Sequence, residues 1–134
     1  MRVHIREIQG IQSQTAAKMK MLGIANSDHL LAAAGQPKDR LALASRLGIE
    51  PRYLLQLTNR ADLSGVKGVG RVYADLLETA GVDSVVELAT CNAETLHAKI
   101  SEIANHQSIR RVPNLDEVQN WIEQAKQLER KVYH

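Results

Sequence analysis

Apolar residues recur along the chain at three- and four-residue spacing, the period of helices with one face on a core, and no useful stretch alternates as a strand would. Ser13 stands where a cap belongs for a helix running to Leu22, and Gly23 takes the left-handed position beyond it. Ser27 opens a short helix closed by Gly35. Pro37 precedes a third helix through Leu41, Ala44 and Leu47, closed by Gly48, and Pro51 suits the first turn of a fourth through Leu54, Leu55 and Leu57. Further on, residues 71–80 form a helix ended by Gly81, Ser84 with Glu87 makes a capping box, and Asn92 caps a helix through Leu96, Ile100 and Ile103. A last helix is capped by Asn114 with Glu117; Leu115, Val118, Ile122 and Ala125 form its apolar stripe, with Trp121 beside it as a core residue. His106 to Pro113 reads as a loop. The expected fold class is all-α.

The pattern also repeats. Ile5, Gly10-Ile11, Ala16, Met19, Gly23-Ile24 and Leu30 are matched by Leu63, Gly68-Val69, Ala74, Leu77, Gly81-Val82 and Leu88, each pair 58 residues apart. One offset shared by apolar, alanine and glycine positions marks a duplicated supersecondary unit. The expected organisation is a first repeat over residues 1–60 and a second over 61–134, the latter ending in the amphipathic helix, packed as one compact unit. Residues 5–31 should then superpose on 63–89 with their turns in register.

Composition narrows the class. A chain of 134 residues with 44% hydrophobic and 24% charged residues can bury a core of its own. The single cysteine, Cys91, forms no internal disulfide and fits a reducing compartment. No segment resembles a secretion signal or reaches membrane-spanning length, so the expected location is the cytoplasm, without membrane contact. Net charge is +2, but it is unevenly spread. Residues 1–60 carry nine Lys and Arg against four Asp and Glu, an excess of +5; residues 61–134 carry eight against eleven, an excess of −3.

The chemistry concentrates in Lys67-Gly68-Val69-Gly70-Arg71-Val72. Glycines at 68 and 70 permit a tight turn with positive φ and close approach by another backbone, while Val69 pins the turn to the core. The helix that follows presents unbonded N–H groups and the positive end of its dipole, which suits a phosphate oxygen. Lys67 and Arg71 flank the turn and add charge-assisted contacts. These residues resemble the helix-hairpin-helix motif of DNA polymerases, ligases, glycosylases and junction-binding proteins. The resemblance implies a tandem helix-hairpin-helix fold with additional short helices, and a hairpin that binds a sugar-phosphate backbone without reading sequence. Over nearly its whole length the chain also resembles an uncharacterised bacterial family with two such hairpins, a domain of unknown function.

The first copy departs from the pattern, since Gln12 stands where Gly70 stands in the second. A side chain there resists a left-handed conformation and hinders a phosphate, so the first hairpin is expected to be structural. Duplex DNA is the expected partner, through Lys67, Gly68, Val69, Gly70, Arg71 and Val72; a protein partner or self-association, through the oppositely charged halves, is the alternative. DNA binding would call for basic residues such as Arg40, Arg46, Arg52, Lys67 and Arg71 on one face. Stacking on single strands is disfavoured by four aromatic residues with no interleaved basic ones. No catalysis is expected. Asp83 superficially resembles the catalytic aspartate of some glycosylases with this motif, but it follows Gly70 too closely and reads as a loop residue. The five histidines lack metal-ligand spacing, and neither a Walker-type phosphate loop nor a nucleophile elbow occurs, so no metal, cofactor or small-molecule substrate is expected.

Overall fold

A computed structural model describes residues 2–134. Helix α1 spans Ser13–Met21, α2 Ser27–Ala34, α3 Pro37–Leu47, α4 Pro51–Leu63, α5 Arg71–Thr79, α6 Val85–Ala89, α7 Ala93–His106 and α8 Leu115–Gln127. A 3₁₀ turn, Ile5–Glu7, precedes them. Among the described residues there is no strand, only an isolated bridge between His4 and Asn26, so the fold is all-α. No described helix is long and apolar enough to cross a membrane.

The termini of these helices follow the local chemistry with two corrections. Asn92 and Asn114 cap α7 and α8 as expected, and Glu117 completes a capping box. Ser84 accepts from Glu87 N–H at the start of α6. Ser13, however, is the first helical residue of α1; Gln12 is its cap and makes no side-chain bond. Ser27 opens α2 as expected, with Asn26 as its cap, and the Ser27 hydroxyl accepts from Val3 N–H. Gly48 ends α3 in the left-handed conformation, where glycine carries no Cβ penalty. Gly35 does not: its φ is −66°, and its glycine is needed for space instead.

At the 58-residue offset the backbone repeats itself closely. Gly10 and Gly68 have φ of +85° and +92°, and Gly23 and Gly81 have +85° and +94°. The bond from Ile24 N–H to Met19 O recurs as Val82 N–H to Leu77 O, and that from Ile11 N–H to Ile8 O as Val69 N–H to Val66 O. Both following helices, α1 and α5, are nine residues long.

Two clusters of buried apolar residues underlie the halves. One gathers Met19, Leu30, Leu47, Leu54 and Leu57, the other Leu63, Leu77, Leu88, Ile100 and Trp121. Leu41, expected to face inward with Leu47, is exposed. Helix α4 serves both clusters, with Ala61 in the first and Leu63 in the second, so the expected boundary at residue 60 falls inside one continuous helix. The chain beyond α8 also returns, placing Val132 in the first cluster.

Arg60 of α4 ties the halves together. Its Nη1 donates to Gln9 O at 2.6 Å, while Nε and Nη2 donate to the Glu78 carboxylate of α5 at 2.7 and 2.9 Å. That pairing holds the Glu78 carboxyl below the usual glutamate range, against the opposing effect of burial. A depressed carboxyl contributes stability above its unfolded pKa and loses it as pH falls through the folded value. Glu78→Gln should therefore lower unfolding free energy by about 1.5–3 kcal/mol near neutrality, the usual range for a hydrogen bond to a charged group. Denaturant titrations across pH should show that gap closing below about pH 4.3, where glutamate ordinarily protonates. A gap constant down to acid pH would show that the ion pair contributes nothing.

Candidate functional site

The second hairpin is built from its floor upward. Val66 and Val69 are buried in the second core and fix the turn between them. Gly68 sits over Trp121: a Cβ there would lie 3.0 Å from the indole Nε1, and φ of +92° disfavours any side chain regardless. Gln124 of α8 clamps the same turn, accepting from Lys67 N–H at 2.8 Å and donating to Lys67 O at 3.0 Å. The expected core position of Trp121 holds, and Tyr73 packs against it with ring centroids 5.3 Å apart.

Gly70 differs from the expectation. Its φ is −86° and ψ −169°, extended backbone that any residue adopts, and a Cβ would meet nothing within 4 Å. The turn needs one left-handed residue, and Gly68 supplies it. Gly70 is the N-cap of α5, and no side chain of the described residues caps that helix. Its own N–H and those of Arg71 and Val72 have no protein acceptor among the described residues. Lys67, Gly68, Gly70, Arg71 and Val72 are all exposed, with Val72 at 51%.

In the first hairpin one of the equivalent N–H groups, that of Gln12, is engaged. Gln12 also takes an extended conformation, so its side chain imposes no left-handed strain, contrary to expectation. The difference comes from Tyr53 of α4. Its hydroxyl accepts from Gln12 N–H at 2.8 Å and donates to Gly10 O at 3.1 Å. Arg60 then takes the neighbouring Gln9 carbonyl.

Beside the open end of α5 lies a hollow of about 590 Å³. It is lined by Gly68, Gly70, Arg71, Val72 and Tyr73 together with Ser108, Ile109, Arg110 and Arg111 from the α7–α8 loop. Arg111 is fixed by Glu117 through two hydrogen bonds at 2.7 and 3.1 Å, and it donates to the Tyr73 hydroxyl at 3.0 Å. Tyr73 in turn donates to Arg111 O, which fastens the loop to α5. Arg110 is exposed and makes no ion pair among the described residues. A second hollow, of about 350 Å³, runs from Gly70 and Arg71 toward Gln9 and Arg60.

Of the basic residues the sequence suggested for one face, only Arg71 lines the larger hollow. Arg40 is 7% exposed, with its guanidinium held by carbonyls, and burial pushes its pKa down. Arg52 lines a separate hollow with Gln56 and Asp83. Arg110 and Arg111 were missed because they sit in a loop about forty positions downstream. The one signal was two adjacent cations in the segment read as irregular. Cys91 is half-buried, and burial raises its thiol pKa, which does not favour a nucleophile. No group of three His, Cys, Asp or Glu among the described residues is placed to hold a metal ion.

Gly68→Ala should destabilise the protein by about 1–3 kcal/mol, the cost of holding a non-glycine residue in the left-handed region. Gly70→Ala should be nearly neutral. Thermal unfolding of both variants checks the assignment, and equal losses would mean that the turn uses both glycines.

The chain belongs to the family described as Domain of unknown function (DUF4332), whose match covers residues 9–128. No curated protein and no solved structure matches it.

Proposed function

For this member of the family, we propose that the second hairpin binds the sugar-phosphate backbone of duplex DNA without sequence preference, in the manner of a helix-hairpin-helix module. The observation that carries this reading is the hollow beside α5, where Arg71, Arg110 and Arg111 surround a helix N-terminus with unbonded N–H groups. Backbone amides at a helix N-terminus and arginines are among the groups that hold phosphate oxygens, and contacts to phosphates carry no sequence information. Arg111 arrives already oriented by Glu117 and Tyr73, so less side-chain freedom is lost on binding. The first hairpin, occupied by Tyr53, serves as scaffold. A protein partner is the second reading, favoured by the exposed Val72 on the rim.

Titration of a labelled duplex at low salt tests this directly. Non-specific binding of this kind has a dissociation constant on the order of 10⁻⁴–10⁻⁶ M at physiological salt and weakens steeply as salt rises. Arg71→Ala and Arg110→Ala should each weaken binding on every duplex and flatten the salt dependence by about one unit of slope. Gly70→Glu should abolish binding with helicity intact, since the extended backbone tolerates a side chain and the carboxylate takes the place of the phosphate. Gln12→Glu should change little. Absence of binding at low salt, with the fold intact, would overturn the reading in favour of a protein partner.

A further inference from the structure

We propose that the corner between α2 and α3 is a binding cleft for an extended chain segment, and that it accepts residues 128–134 of a second copy in trans. This surface is separate from the hairpin, and the inference does not depend on DNA binding.

Within the structure the cleft holds the chain's own 128–134 segment. Helix α8 ends at Gln127, and Leu128 is extended, with φ −82° and ψ 140°. Residues 128–131 are exposed, and the attachment is made by the next three, His134 through a hydrogen bond of 3.4 Å to Asn59 of α4. Val132 is 1% exposed and joins the first core. Both backbone groups of Tyr133 are then taken. Its N–H donates to Gly35 O at 2.8 Å, and its carbonyl accepts from Arg40 Nη2 at 2.9 Å. The other Arg40 amino group donates to Ala34 O and Gly35 O at 3.0 and 3.2 Å. The cleft thus recognises one peptide unit by its backbone and one apolar side chain before it, a reduced form of strand addition. Gly35 completes it by absence, because a Cβ there would collide with the Lys131 carbonyl.

An empty cleft is unfavourable for a definite reason. It would leave a buried guanidinium one acceptor short and open the core where Val132 sat, so it favours recapture of a matching segment. The only covalent route from α8 to the cleft is the exposed stretch 128–131, and none of the contacts depends on which chain supplies it. A second copy carries the same segment by construction, and reciprocal exchange fills both clefts under a two-fold axis. The intramolecular segment competes at an effective concentration on the order of millimolar, so exchange grows with protein concentration.

Two full-length variants separate the parts. Val132→Asp keeps the cleft and disables the tail; Gly35→Ala keeps the tail and blocks the cleft at an allowed φ of −66°, and because its Cβ would also meet Leu31 O of α2 at 2.7 Å, its helicity is checked first. Sedimentation velocity should show each variant monomeric alone and a 1:1 complex in the mixture. A synthetic peptide of residues 128–134 should dissolve that complex, whereas the same peptide with aspartate for Val132 should act at least about tenfold more weakly, in line with the loss of its one apolar anchor. A mixture that stays monomeric with both variants folded, or a complex formed by Val132→Asp alone, would overturn the proposal. If either variant unfolds, the wild-type chain is titrated with the labelled peptide up to about millimolar, the concentration needed to compete with the tethered tail. Shifts of the Gly35 and Arg40 resonances support the cleft, and unchanged spectra overturn it.

Discussion

The relation between the two hairpins hangs on the guanidinium of Arg60. It projects from the helix that supplies both cores, and its donors are spent on Gln9 O in one hairpin and Glu78 beyond the other. Asp75 lies 3.9 Å away as a weaker second anion. The side chain is 12% exposed, so each lost partner would leave a largely desolvated charge or carbonyl behind. The same residue gives Gly10 a steric reason to be glycine, because a Cβ there would approach Nη1 to 3.0 Å. A repeat whose copies were merely strung together would need no such joint. Here one arginine ties the first turn and the far end of α5 to a shared helix, and it lines the hollow between Gly70 and Gln9.

Identical backbones are put to different use by what covers them. In each copy a left-handed glycine turns the chain into a nine-residue helix with an extended cap, and in each the helix leaves N–H groups exposed. In the first copy Tyr53 of α4 takes the leading one, the Gln12 N–H, and ties it to Gly10 O. In the second, Gln124 and Trp121 hold the turn from beneath and leave its outer edge open. The asymmetry therefore lies in the elements packed on the hairpins, and Gln12 against Gly70 is the smaller part of it.

What the sequence disclosed was what local physics controls. The repeat, the helices, the left-handed turns at Gly23, Gly48 and Gly81, the caps at Asn92 and Asn114 and the core position of Trp121 all depend on residues within one or two turns of each other. The errors arose where distant chain intervenes. Gly70 was assigned a left-handed conformation because two glycines looked alike, although Gly68 alone satisfies the turn. Arg40 looked like a surface cation; the returning tail and the end of α2 bury it. Arg110 and Arg111 reach the hairpin only because α7 and α8 carry their loop back to α5, a juxtaposition with no trace in local pattern.

The better hairpin lies in the acidic half of the chain, which argues against an anionic partner only if charge is counted without position. The carboxylates of residues 61–134 nearest the hairpin are directed elsewhere. Asp75 and Glu78 face Arg60, and Glu117 pairs with Arg111. Asp62 is buried and accepts from Val85 N–H at the start of α6, with its pKa raised mainly by that burial. Glu87 is raised by burial and by its neighbour Asp83, so those two share a region of their own. No carboxylate lines the hollow beside α5, whereas three arginines do. Charges a few ångströms from a bound phosphate outweigh those more than a Debye length away, about 8 Å at physiological ionic strength, wherever solvent lies between. The excess of −3 over the second half is thus compatible with a cationic hairpin, because none of its carboxylates lines the hollow where the arginines gather.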